Sequence, residues 1–230
     1  MEDKDNFQTY LYISEKNLII SVRDNFDKKI YEKKILFQQN LNYLDLEILN
    51  NFLNDNVYKI EKSINDFVKK IFIIIDLNIF FKVDISIKKE NNENLINLKY
   101  LLNEAKDSCK KTIDDRKIIH MVINSYLIND VQHSTLPKDL TCQNFSLDIK
   151  FICLPNIFVK NLEDILKSYQ ISLGKIISAQ YLYEFQSKDE NDLFLTSKRI
   201  VRGNNPNEVI LVDKSPKKLG FFEKFFNFFS

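Results

Sequence analysis

The sequence predicts a mixed α+β protein, and three observations carry that prediction. Residues 144–154 alternate strictly, with Phe145, Leu147, Ile149, Phe151 and Cys153 facing one way and Ser146, Asp148 and Lys150 the other. That period of two marks a strand with one buried face. From Leu49 to Val68 the apolar residues recur at spacings of three and four, the period of an amphipathic helix. Ile71, Phe72, Ile73, Ile74 and Ile75 form a continuous apolar, mostly β-branched run, as in a strand covered on both faces.

The remaining elements follow in chain order. YLYISEKNLIISVRD reads as two strands around a turn at Ser14-Glu15-Lys16-Asn17, and a third strand spans 29–38. Within that third strand, KKIYEKK (28–34) is a charge run of the kind that solvates a sheet edge. Asp45 is placed to cap the long helix that follows, which carries Leu49, Phe52, Leu53, Val57, Ile60, Ile64, Phe67 and Val68. IFFKVDISIK (79–88) is a strand, 94–114 a helix with Leu98, Leu101, Leu102, Ala105, Cys109 and Ile113 on one face, and 117–128 a strand apolar on both sides. After the strand at 144–154, Pro155 and Asn156 open a helix with Phe158, Leu162, Ile165, Leu166 and Tyr169 inward, and a strand at 171–177 closes the set. The order β-α-β-β-α-β fits one compact sheet with helices on one face. Residues 187–218 are polar and turn-rich and read as a tether with little core, carrying at most a weak hairpin of 199–201 with 209–212.

Composition narrows the function. Across 230 residues, 44% are hydrophobic, enough for a core in one domain or two small ones. A net charge of +1 gives no general field for nucleic acid, so no nucleic-acid partner is expected. The 3 Gly stand at 174, 203 and 220, so neither the dinucleotide fingerprint nor the P-loop exists. The 3 Cys, at 109, 142 and 153, form no C-x-x-C and point to a reducing cytoplasm. The polar, acidic N-terminus reads as lacking a signal peptide, and no apolar run reaches membrane-spanning length. Lys, Asn, Ile and Phe are abundant in the way an AT-rich genome encodes, so their positions carry meaning and their numbers do not.

No catalytic constellation emerges. His120 lies in a doubly apolar strand and reads as a satisfied interior residue. His133 has no Cys or His at ligand spacing. Cys109 and Cys153 fall on apolar faces as small core residues, and Asp114-Asp115-Arg116 reads as a turn. With 2 His and no glycine loop, the expectation is a protein that is not an enzyme, with no catalytic residue, no cofactor and no metal.

The C-terminal segment is the most informative. At about 100° per residue, Leu219, Phe221, Phe222, Phe225, Phe226, Phe228 and Phe229 gather on one half of a helical wheel, and Glu223, Lys224 and Asn227 occupy the other. Lys217 and Lys218 precede this helix, with Lys214 just upstream. A short helix with an aromatic face and a lysine rim lies in the headgroup plane of a bilayer. Full burial of a Phe is worth about 1.5–3 kcal/mol and each Lys near an anionic leaflet about 1 kcal/mol, so weak, reversible binding is expected. The membrane-binding residues are therefore Lys217, Lys218, Leu219, Phe221, Phe222, Lys224, Phe225, Phe226, Phe228 and Phe229. The competing arrangement is a helix packed as ordinary core on its own domain or on a partner.

Several blocks resemble FtsA, the actin-like bacterial cell-division family that ties the division ring to the inner membrane. RKIIHMVINSYLIND (116–130) is similar to the family's Arg, apolar pair and His entering a strand, followed by Tyr and an amide, here Arg116, Ile118, Ile119, His120, Tyr126 and Asn129. NFSLDIKFICLPNIFVKNLEDILKSYQISLGKIISAQYL (144–182) resembles its alternating strand, its Asn-Leu helix at Asn161-Leu162 and its closing strand with Ala179. LDLEILNNFLNDNVYKIEKSINDF resembles the helix of the first actin-like half, IFIIIDL its following strand, and the chain's ending the family's amphipathic membrane-targeting helix on its linker.

The resemblance implies a remnant of the first actin-like half-domain at 1–78, the family's inserted subdomain at 79–186, a polar tether at 187–216 and an amphipathic membrane-targeting helix at 217–230. It implies a peripheral adaptor of the division machinery at the septum, on the cytoplasmic face of the inner membrane. Its partners would be anionic phospholipid and other division proteins, the latter through the inserted subdomain. The departures are as telling. The SEKN turn lacks the Asp and Gly of the family's first phosphate loop, and the second actin-like half has no counterpart after residue 182. Nucleotide is therefore not expected, and binding of the tubulin homologue FtsZ, like self-association, stays open. An actin-like adaptor of a pilus or secretion machine is the alternative.

Overall fold

The computed structural model describes residues 6–38, 44–90, 97–136, 143–186 and 192–209. It has two sheets. The first begins as an antiparallel meander of β1 (Phe7–Ser14), β2 (Asn17–Asp24) and β3 (Lys29–Leu36), with the Ser14–Asn17 turn between β1 and β2. Helix α1 (Leu46–Ile64) follows, capped by the Asp45 carboxylate, which accepts the N–H groups of Glu47 and Ile48. It ends at Asn65, whose φ of 53° breaks the helix. Strand β4 (Lys70–Asp76) then runs parallel to β1.

The second sheet is antiparallel throughout. It contains β5 (Phe81–Glu90), β6 (Arg116–Ile128), the short β7 (Val131–His133) and β8 (Asn144–Pro155), in the order β5-β8-β6-β7. Helix α2 (Leu98–Thr112) covers one face through Leu101, Ala105 and Cys109, against Met121, Ile123, Phe145, Leu147, Ile149, Phe151 and Cys153. The alternation of 144–154 thus faces a core on one side.

The expectation of a single β-α-β-β-α-β sheet is corrected here. Helix α3 (Asn156–Ser168) and strand β9 (Ser172–Ser178) leave the second sheet, and β9 pairs in parallel with β4. The first sheet is therefore β3-β2-β1-β4-β9. The physical reason lies in β4. Its Ile71, Ile73 and Ile75 face the core built by α1 and α3, while Ile74 faces a separate cluster on the opposite side. A strand apolar on both faces must be covered on both and flanked on both edges. β9 supplies the second flank, and at Gly174 it runs so close that an added Cβ would stand 2.9 Å from the Phe72 ring.

The tether is corrected as well. After α4 (Ala179–Phe185), residues Leu193–Val201 form a helix, α5, that buries Thr196, Ser197, Lys198 and Ile200. Residues 199–201 are helical, so the hairpin expected with 209–212 does not form. Asp192 caps α5 and bonds Arg23 of β2 at 2.8 Å, while Lys198 bonds the Asn25 carbonyl and the Asp27 carboxylate in the β2–β3 turn. Helices α4 and α5 together cover the face of the first sheet opposite α1 and α3.

Candidate functional site

Two clefts hold the polar chemistry of the described residues. The first, about 770 Å³, opens at the ends of β1, β4 and β9, lined among others by Tyr12, the Ser14–Asn17 turn, Asp76, Lys82, Ser178 and Tyr183. Strand alternation puts Tyr12 and Asp76 beside each other across the β1–β4 pair. The Tyr12 hydroxyl donates to Asp76 Oδ2 at 2.5 Å, and Tyr183 of α4 donates to the same oxygen at 3.3 Å. Burial, reinforced by the hydrogen bond to Asp76 and its charge, pushes the Tyr12 phenol far above its ordinary range, so it stays a neutral donor. In the turn, Ser14 Oγ accepts the N–H groups of Lys16 at 3.2 Å and Asn17 at 3.1 Å. The carboxylate and two of the turn amides are thus engaged by the chain itself.

The second site lies where the two sheets meet. An extra residue in β6, between the pairs Ile118↔Cys153 and His120↔Ile152, turns His120 toward α4. There its ring lies 4.5 Å from that of Tyr181, centroid to centroid. His120 Nδ1 meets Glu208 Oε1 at 2.8 Å, and His120 Nε2 accepts the Ser178 N–H at 3.1 Å. A ring nitrogen that accepts leaves the proton on the other, so His120 is neutral and donates to Glu208. Lys175 of β9 donates to Glu208 Oε1 at 2.8 Å, and the Tyr181 hydroxyl to Oε2 at 3.1 Å. Asn205 completes the cluster with a 2.7 Å bond to the Tyr181 hydroxyl.

Glu208 belongs to a strap, residues 203–209, that leaves α5 and lies along β6. Ile123 N–H donates to the Asn207 carbonyl at 2.9 Å and Val209 N–H to the Met121 carbonyl at 2.8 Å. The strap therefore clamps β6 to β9 and α4. Burial alone would raise the Glu208 carboxyl, but the bonds and charges of His120 and Lys175 outweigh it and hold it below the usual carboxylate range. Burial lowers the His120 imidazole below its ordinary 6.5, opposed in part by Glu208. The unfolded chain thus takes up a proton on His120 at a higher pH than the folded one, so stability is lost as pH falls from about 6.5. We expect the unfolding free energy to fall between pH 7 and 5.5 with a slope approaching about 1.4 kcal/mol per pH unit, the melting temperature to fall with it, and both to flatten in H120Q. Thermal denaturation at several pH values checks this.

Beside the strap runs a groove of about 640 Å³, with Lys106, Lys110, Arg116, Lys117 and Lys175 on its walls. The other residues weighed from the sequence lie elsewhere. Cys109 and Cys153 are buried together in the second core, where burial pushes the Cys153 thiol up to about 12 and raises Cys109 as well. His133 pairs with Tyr126 on the edge strand β7. Asp114 and Asp115 form the turn before β6, and Arg116 stacks over Phe81 at 4.8 Å. The membrane-binding residues Lys217, Lys218, Leu219, Phe221, Phe222, Lys224, Phe225, Phe226, Phe228 and Phe229 lie outside the described residues. No helix among the described residues is long and apolar enough to cross a membrane. Sequence reasoning missed Glu208, Lys175 and Tyr181, because a single acid within GNNPNEV carries no spacing signal.

No family model matches the chain, and no curated protein matches it. Solved structures do. The chain is similar to the PilM-PilN type IV pilus biogenesis complex, with a TM-score of 0.51 and 9% identity over 77% of this chain and 49% of that one. It is also similar to the cytoplasmic domain of EpsL, an inner membrane component of the type II secretion system of Vibrio cholerae (TM-score 0.42, 8% identity, 76% and 58%). A Bacteroides thetaiotaomicron protein with an actin-like ATPase fold follows (TM-score 0.35, 10% identity, 78% and 55%). The chain spans about half the length of these structures. At such identities the likeness concerns the fold alone, and it is carried by the PilM-PilN complex, whose TM-score exceeds 0.5. It does not single out FtsA.

Proposed function

We propose that this chain is a non-enzymatic peripheral adaptor, FtsA-like in role. Its C-terminal segment holds the α+β body at the cytoplasmic face of the inner membrane, and the body presents a surface to other proteins of the division machinery. The observation that carries this reading is the segregation of Phe221, Phe222, Phe225, Phe226, Phe228 and Phe229 to one side of a lysine-rimmed segment, which codon bias does not produce. The strand-end cleft supports a role without nucleotide. Its carboxylate, Asp76, already binds Tyr12 and Tyr183, and the SEKN turn spends two amides on its own Ser14. A phosphate would have to displace both sets of bonds.

A second reading, an adaptor of a pilus or secretion assembly, is favoured by the fold likeness to the PilM-PilN complex, which is named for pilus biogenesis. Both readings share the membrane step. Full-length protein is expected to co-sediment with anionic vesicles and a chain ending at Pro216 is not; equal pelleting of the two would remove the membrane reading. In dividing cells, a fluorescent fusion concentrated at the septum supports the division reading, and foci away from it support the assembly adaptor.

A further inference from the structure

The groove at the sheet junction has a charge balance that the whole chain lacks. Its walls carry five cations, Lys106 and Lys110 of α2, Arg116 and Lys117 of β6 and Lys175 of β9, against the acids Glu163 and Glu208. The chain as a whole has a net charge of only +1. Both acids are already engaged, Glu163 by Lys117 at 3.1 Å and Glu208 by Lys175 and His120 at 2.8 Å. Lys106 and Lys110 form no ion pair among the described residues. Ile118 and Val201 are among the apolar residues beside these cations.

The described part of the chain also ends at this groove. Val209, the last described residue, lies on its wall. Seven residues, 210–216, separate it from Lys217. Seven fully extended residues reach at most about 25 Å, so a C-terminal segment resting on a leaflet brings the groove close to the headgroups. The negative potential of an anionic leaflet decays within about 8 Å, which cations on the near side of the body can enter.

We propose that this groove is a second membrane contact: it seats the phosphate headgroups of anionic phospholipid and fixes which side of the body faces the bilayer. The inference rests on the membrane reading of the C-terminal segment. The tail supplies attachment, and the groove supplies orientation and salt-sensitive affinity.

The test uses the full chain and vesicles of phosphatidylglycerol and phosphatidylcholine at low salt. K106E/K110E reverses two groove cations, and K99E/K111E makes the same charge change on exposed positions of α2 that do not line the groove. The groove variant is expected to lose at least about tenfold in partitioning and the control less than about threefold, with both melting near wild type. On pure phosphatidylcholine the two variants and wild type should bind alike. Equal losses in both variants, or no loss in either, would overturn the proposal. So would a K106E/K110E protein that keeps its vesicle binding while losing affinity for poly-glutamate, which would make the groove an acidic-protein site. Wild type failing to bind any vesicle would remove the anchor reading and this inference together, whereas wild type and groove variant binding alike removes only the inference.

Discussion

E208A is expected to lower stability by about 3 kcal/mol, which in a chain of this size moves the melting temperature down by about 6–12 °C. The carboxylate is almost fully enclosed, its side chain 5% exposed. It accepts from three donors on three different elements: His120 of β6, Lys175 of β9 and Tyr181 of α4. Removing it leaves the His120 N–H and the Tyr181 O–H without an acceptor in a dry site, although Asn205 still donates to the Tyr181 oxygen, and an orphaned buried donor costs about 1–3 kcal/mol. The Lys175 ammonium is 32% exposed and regains water, which keeps the total near the lower end of the range for broken buried pairs. E208Q retains an acceptor and should lose roughly half as much. Because Lys175 and Glu208 share one bond, the two substitutions should not add. K175M/E208Q is expected to be more stable than the sum of its parts, and a double-mutant cycle by chemical denaturation reads the difference. Additive losses would mean that the cluster is three independent contacts and the strap no clamp.

The E208A strap should also come away from β6. Its two backbone bonds to β6, made by Asn207 and Val209, flank Glu208 on either side. Proteolysis within that segment should accelerate in E208A relative to wild type under conditions where both are folded.

The sequence carried some of this and concealed the rest for identifiable reasons. Period is local, so β8, α1, β4 and α2 could each be read from spacing, and Asp45 announces α1 by a cap that the structure contains. Partner choice is not local. β9 pairs with β4 across a separation of about 100 residues, Lys70 opposite Ser172, and nothing in LGKIIS distinguishes that edge from one in the second sheet. Helices α4 and α5 are 7 and 9 residues long, too short for a stripe to stand out from neighbouring apolar or polar text. Lys198 misled most. It stands in a stretch that reads as a polar tether, yet its ammonium lies buried because the β2–β3 turn offers a carbonyl and a carboxylate at that spot. His120 was legible as an interior residue, but its acid partner is 88 residues away in the chain and came into view only with the fold.

Replacing Phe222, Phe225, Phe226 and Phe229 together by Ser in the full chain is expected to abolish vesicle binding and leave the melting temperature unchanged. Each ring loses about 0.8–1.5 kcal/mol of partial burial in the headgroup region, so four amount to about 3–6 kcal/mol, or two to four orders of magnitude in partitioning. Unlike truncation at Pro216, this variant keeps Lys214, Lys217, Lys218 and Lys224, so any binding that survives measures the electrostatic share alone and should vanish at high salt. The same protein decides against the competing arrangement, in which the aromatic face packs on the body. Four rings buried in a core would cost several kcal/mol on removal and pull the melting temperature down by ten degrees or more, while leaving lipid binding as it was. Loss of lipid binding at constant stability and loss of stability at constant lipid binding are opposite outcomes, and a vesicle titration beside a thermal melt separates them.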